Sequence, residues 1–145
     1  MGKLSYGTAA CDNDLDGAFE VRRQVFIREQ GIPETLVFDD LEGEALQLVA
    51  KYEGQVVATA RVRFLNDCQA KLERMAVIDG FRNRGIGKEL VLFLENLLKD
   101  KKIKSVILHA QFDVVPFYRS CGFKQSGSPF REAGLRHLKM CKQIK

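Results

Sequence analysis

No apolar run in these 145 residues approaches the roughly 20 needed to span a bilayer. The opening Met1-Gly2-Lys3-Leu4-Ser5-Tyr6 leads into an acidic stretch from Asp12 to Asp16, so the apolar core of a signal peptide is missing too. No C-x-x-C pair exists. Cys11, Cys68, Cys121 and Cys141 are scattered, the pattern of reduced and mostly buried thiols rather than of zinc ligands or a disulfide framework. A large charge of one sign is also lacking: 23 Lys and Arg stand against 19 Asp and Glu, a net +4 that suits an anionic cofactor. Without an RNP-like, helix-turn-helix or zinc signature, that excess does not argue for nucleic acid. Repeats, low-complexity tracts and linkers are absent, so residues 1–145 read as one domain able to bury a single core. The expectation is a cytoplasmic, metal-free protein with no membrane or nucleic-acid partner.

What is present is a regular alternation of elements. Leu4, Tyr6 and Thr8 alternate like a strand. Asp12 or Asn13 can cap a helix with Leu15, Ala18, Phe19, the Arg22 stem, Val25 and Phe26 inward, stopped by Gly31 and Pro33. Residues 34–44 read as loop or short helix, with Asp39, Asp40, Glu42 and Glu44 as acidic surface. Residues 46–52, 55–65 and 69–77 then form an antiparallel meander turning at Glu53-Gly54 and Asn66-Asp67. Ile86, Leu90, Phe93, Leu94, Leu97 and Leu98 make the stripe of a long helix closed by Lys99-Asp100-Lys101-Lys102. The apolar run 105–110 follows as a buried strand, parallel to the one ending at Val77 because a helix crosses between them. A short helix over 114–121 ends at Gly122, and residues 123–126 and 136–143 close the chain as a hairpin. Its exposed edge makes a homodimer an expectation.

The basic loop Arg82-Asn83-Arg84-Gly85-Ile86-Gly87-Lys88 carries the chemistry. Alone, G-x-G is weak evidence; here it lies between a strand and the first turn of an amphipathic helix. Helix starts present unpaired N–H groups and the positive end of the macrodipole to anions. Glycines let the backbone approach a phosphate, and Arg82, Arg84 and Lys88 surround it with positive charge. The third glycine of a dinucleotide-binding fingerprint is replaced by Leu90, and no G-x-x-x-x-G-K-[ST] exists.

Arg82-x-x-Gly85-x-Gly87 resembles the pyrophosphate loop by which GNAT N-acetyltransferases hold acetyl-CoA. Pro116-Phe117-Tyr118-Arg119-Ser120-Cys121-Gly122-Phe123 resembles their second block, an aromatic on a short helix followed by Gly-Phe. The segments 22–30, 71–74, 110–111 and 133–138 extend the likeness to the ElaA/YjcF-like branch across nearly the whole chain. The resemblance implies the α/β (α+β) GNAT acyl-CoA N-acyltransferase fold: a mixed, mostly antiparallel sheet flanked by helices, with a central splayed parallel strand pair. It implies acetyl-CoA as cosubstrate and direct acetyl transfer to a primary amine; the alternative is a non-catalytic acyl-CoA-binding sensor or interaction module. Residues Arg84 to Lys88 (Arg84, Gly85, Ile86, Gly87, Lys88) would hold pyrophosphate, with Arg82 beside them. Met75, Ala76 and Val77 would offer backbone groups to pantetheine, and N–H groups near Met75 or Ala76 would polarise the acetyl carbonyl. Tyr118 is the expected general acid for the leaving thiolate. Glu73 is the first candidate base, lying on the same strand face as Met75 and two positions before it, although a salt bridge with Arg61 or Arg74 is an equal reading. His109 and His137 are the alternatives, since imidazole titrates near neutrality.

Overall fold

The computed structural model describes residues 2–145. Strands β1 (Leu4–Thr8), β2 (Leu46–Tyr52), β3 (Gln55–Phe64), β4 (Gln69–Val77), β5 (Ser105–Gln111), β6 (Lys124–Gln125), β7 (Phe130–Glu132) and β8 (Leu135–Gln143) form one sheet in the order β1-β2-β3-β4-β5-β8-β6, with β7 also paired to β8. Among the described residues only β4 and β5 run parallel; the other pairs are antiparallel. Helix α1 (Asp12–Arg22) covers one face over β2–β4, whereas α3 (Ile86–Asp100) packs on β2–β4 and α4 (Val115–Ser120) on β5. Because Ile86, Leu90, Leu94 and Leu98 recur every four residues, α3 buries one continuous stripe against Ala58, Ala60, Val62, Leu72, Val106 and Leu108. Helix α2 is the single turn Glu34–Val37.

Three departures from the regular reading shape the site. After Arg22 the first helix widens into a π-helical segment, Arg23–Glu29, instead of continuing as an α-helix. Such wide turns are rare and collect at functional positions; here the segment brings Val25, Phe26 and Glu29 to the central cleft, with Gln30 just after it. Residues 130–132, expected as loop, form β7 against Leu135–His137 through a tight turn in which Ala133 and Gly134 have φ of 53° and 76°. The expected pairing of residues 123–126 with the last strand is present as β6 on β8, β7 adds a second short strand to the same edge, and short edges resist pairing with another chain.

The third is a β-bulge. Thr59 pairs with Ala76 but Arg61 pairs with Glu73, so β4 carries one extra residue opposite β3. Arg74, with φ 53°, absorbs it. The bulge switches the alternation of faces. Leu72 lies in the α3-side core and Met75 packs against that same core, while Glu73 pairs with Arg61 and Ala76 joins Val21 and Val25 on the α1 side. Glu73 and Met75 thus point to opposite faces, contrary to the expectation from simple alternation. Among the described residues no helix is long and apolar enough to cross a membrane. The thiols are less buried than expected: Cys11 and Cys68 are exposed, Cys141 is half-buried and Cys121 is buried.

Candidate active site

The parallel pairing of β4 with β5 runs only from Gln69↔Ser105 to Leu72↔Leu108. Beyond it the strands diverge, so the β5-facing backbone groups of residues 73–77 have no strand partner. A cleft of about 910 Å³ opens in this gap and extends to both faces of the sheet. Met75, Ala76 and Val77 line it on β4, and Leu108 to Gln111 line it on β5.

On the α3 side the cleft is walled by Gly85, Ile86, Gly87, Lys88, Phe117 and Tyr118. Gly85 caps α3 in the left-handed region at φ 81°, a conformation that glycine adopts without cost. A Cβ on Gly87 would lie 3.1 Å from Phe117 Cζ and 3.5 Å from Met75 Cε, so glycine is what lets the helix start close on α4 and β4. The free N–H groups of the first turn of α3 thus open towards the cleft, as an anion requires. Lys88 lines the same wall, while the Arg84 guanidinium packs 5.1 Å over the Phe81 ring. Arg82 is differently used. Its Nε donates to Val77 O at 2.8 Å, and its Nη2 donates to both Glu29 oxygens at 2.8 and 2.9 Å, tying the loop to β4 and to the π-helical segment.

Tyr118 is buried between the edges of Phe117 and Phe123, with centroids 5.0 and 5.8 Å away. Its hydroxyl crosses to β4 and donates to Met75 Sδ at 3.4 Å. Burial, with a lesser contribution from Cys121, raises its pKa above the ordinary phenol value, so it stays protonated. A thioether is a weak acceptor, which leaves the proton available to a better one.

The α1 side is lined by Lys71, Glu73, Arg74, His109, Glu132 and His137 beneath the apolar Phe26, Leu36 and Val37. Glu73 sits in a dense ion cluster. Oε1 accepts from Arg61 Nη2 at 2.9 Å and Arg63 Nε at 2.7 Å, and Lys71 Nζ lies 3.3 Å from Oε2. Burial alone would raise its pKa, but the Arg63 hydrogen bond and the charges of Arg61 and Lys71 hold it down at about 2. Of the two arginines expected as partners, Arg61 pairs with Glu73 while Arg74 pairs with Asp39. Arg61, 1% exposed, also donates to Asp39 and Glu42, and Arg22, fully buried, donates to Glu42 and Gln47. Asp39 and Glu42 are therefore counter-ions of buried arginines, not the plain acidic surface expected. Sequence reasoning missed this because the partners lie about 20 residues apart; the signal was an arginine inside each apolar pattern.

The histidines form a second cluster. His109 Nδ1 lies 3.1 Å from Glu132 Oε1, His137 Nε2 lies 3.8 Å from Glu132 Oε2, and His137 Nδ1 lies 3.0 Å from Leu135 O. Glu132 was not foreseen, since its strand was read as loop. Among the described residues no group of His, Cys, Asp or Glu is arranged to hold a metal ion.

The acetyltransferase (GNAT) domain family matches residues 13–144. The chain belongs to the GNAT acetyltransferases. It is 36% identical over 132 residues to the N-acetyltransferase YjcF of Bacillus subtilis (strain 168), covering 90% of this chain and 94% of YjcF. Among solved structures it superposes on Escherichia coli ElaA with a TM-score of 0.79 at 23% identity, over 98% of this chain and 99% of ElaA. A GNAT family acetyltransferase from Elizabethkingia anophelis, solved with acetyl-CoA bound, matches at TM-score 0.69 and 15% identity over 99% and 98% of the two chains. This GNAT chain thus falls in the ElaA/YjcF-like branch and has the expected GNAT fold, and its activity is acyl-CoA-dependent acetyl transfer.

Proposed function

We propose that this GNAT chain transfers the acetyl group of acetyl-CoA directly to a primary amine, with no covalent enzyme intermediate. The observation that carries the reading is the divergence of β4 from β5, which joins a helix-start phosphate site on one face of the sheet to a polar pocket on the other. In this reading the backbone from Arg84 to Lys88 holds the pyrophosphate, with Lys88 adding charge. Arg82, already committed to Glu29 and Val77 O, holds the loop in place rather than the phosphate. The unpaired backbone of β4 near Met75 and Ala76 receives pantetheine and offers fixed donors to the carbonyl oxygen as charge develops there.

Tyr118 reaches the β4 bulge from the α3 side, where the thioester sulfur would lie, and delivers a proton to the departing thiolate. Glu73 does not serve as base in this reading. A carboxylate held near 2 by three cations has almost no affinity for an ammonium proton, and it faces away from Met75. Cys121 is buried with a raised thiol pKa, caused chiefly by desolvation, which argues against an acyl-cysteine route.

Calorimetric titration with acetyl-CoA tests the first step, with Gly85→Glu as the control. Binding that the substitution abolishes supports the loop assignment, and an amine screen with thiol detection then separates an enzyme from a sensor. Absence of binding to the wild type overturns the reading; tight binding with no turnover across the screen points to the sensor instead.

A further inference from the structure

With Glu73 withdrawn, the ammonium group of the acceptor still has to lose a proton before its nitrogen can attack. We infer that His109 takes that proton and that Glu132 positions it, a dyad built where the β7–β8 hairpin folds over the α1 side of the cleft. The inference rests on the acetyltransferase reading above.

The geometry separates His109 from every other candidate. It stands on β5 one residue past the last parallel pair with β4, Leu72↔Leu108, where the strands begin to part. Val106, Leu108 and Ala110 point into the α3-side core, so His109 points to the opposite face, the side that the phosphate loop does not occupy. Its ring lines the cleft. A ring nitrogen 3.1 Å from a carboxylate oxygen is the one that carries the hydrogen, so Nδ1 donates to Glu132 Oε1 and Nε2 keeps its lone pair. Phe130 packs edge-on against the ring at 4.9 Å and fixes its plane. His137 lacks this freedom: it is 5% exposed, its Nδ1 donates to Leu135 O, and Phe130 stacks on its ring. The His109 side chain keeps 25% of its surface in solvent and can release a proton there.

The charged groups around His109 come from three strands. Glu132 on β7 is the nearest. On β8 stand His137 and Lys139, the latter directly opposite His109 in the ladder. Across the splay on β4 are Lys71, Glu73 and Arg74, with Glu73 already neutralised by Arg61, Arg63 and Lys71.

The proton count closes. His109 Nε2 takes one proton from the ammonium and passes it to solvent. The neutral nitrogen attacks the acetyl carbon and the C–N bond forms. As the C–S bond breaks, Tyr118 gives its proton to the sulfur and regains one from the nitrogen. The products are the amide, the CoA thiol and one proton in solution.

The test measures kcat/KM by thiol release between pH 6 and 10, at saturating acetyl-CoA, with spermidine, glucosamine, phenethylamine and Nα-acetyllysine amide as acceptors. Wild type should lose activity on the acid side, as a base that must be unprotonated to act requires. His109→Gln should bind acetyl-CoA as the wild type does, lose about a hundredfold in kcat/KM at pH 7, and lose that limb. Glu132→Gln, altered at an exposed side chain, should lose about tenfold and keep the limb. A His109→Gln enzyme that retains both rate and limb places the base elsewhere and overturns the inference alone. A wild type that binds acetyl-CoA yet acetylates none of the four amines overturns the primary-amine reading and the dyad together. Should His109→Gln fail to fold, Glu132→Gln decides: an unchanged kcat/KM overturns the dyad.

Discussion

Tyr118 shows how one buried atom can be judged by what it touches. Its hydroxyl is enclosed by Phe117 and Phe123, and its hydrogen-bond acceptor is the Met75 thioether. Replacing it by Phe removes a weak hydrogen bond and leaves the packing intact, so stability should hardly change. If it protonates the leaving thiolate, Tyr118→Phe should lower kcat about a hundredfold with acetyl-CoA affinity retained, as read by thiol release and calorimetry. A full rate would make Tyr118 a wall of the cleft and no more. The tyrosine was legible from its place in a short aromatic block before Gly-Phe; its contact with Met75 was not, because 43 residues separate them. Arg61 makes the complementary case. Arg61→Ala would take from the half-buried Glu73, Asp39 and Glu42 the counter-ion they share while each keeps another cation, so stability should fall by about 2–3 kcal/mol in denaturant unfolding.

At the scale of elements, the start of α3 carries two glycines that do different things. Gly85 needs its φ of 81° but a Cβ there meets nothing within 4 Å; Gly87 has ordinary backbone but faces Phe117 at 3.1 Å. Gly85→Ala should therefore cost about 1 kcal/mol through backbone strain and weaken acetyl-CoA binding modestly. Gly87→Val should displace Phe117 into the cleft and lower acetyl-CoA affinity at least about tenfold by calorimetry. The loop, the helix stripe and the meander were all readable, because each is local and periodic. The bulge was not. Alternation over residues 69–77 predicts one face for Glu73 and Met75, and only pairing with β3 shows that Arg74 takes up an extra residue. The π-helical widening after Arg22 escaped for a similar reason: its residues suit an α-helix equally well, and tertiary packing decides between them.

Across the whole molecule, the α1 face is held by charge and the α3 face by apolar packing. Arg22, Arg61, Arg63, Lys71 and Arg74 interlock with Asp39, Glu42 and Glu73 between α1, α2 and strands β3 and β4. Asp39 is held at about 2, first by its Arg61 hydrogen bond, and Glu73 also titrates near 2. Both pKa values lie below the ordinary 3.8 and 4.5, so the folded chain binds these protons less readily than the unfolded one. Their stabilisation is whole above about pH 5 and is lost as the pH falls towards 2. Unfolding in urea at pH 3 should show stability lower by about 2 kcal/mol than at pH 6 from Glu73 alone. Equal stability at the two values would mean that folding does not lower the proton affinity of these carboxylates.

What the chain declares by itself is local: strand and helix periods, the glycine loop at a helix start, and the aromatic block ending in Gly122-Phe123. Those features determine the layered sheet and the glycine-bearing start of α3, since hydrophobic period and backbone freedom depend only on near neighbours. The tertiary structure alone decides which side chains share the acceptor face. It sets the bulge at Arg74, commits Glu73 to three cations and folds Glu132 onto His109, because all three depend on strand pairing between distant segments. Charge pairing and face assignment are properties of register, and register is written between strands rather than along one.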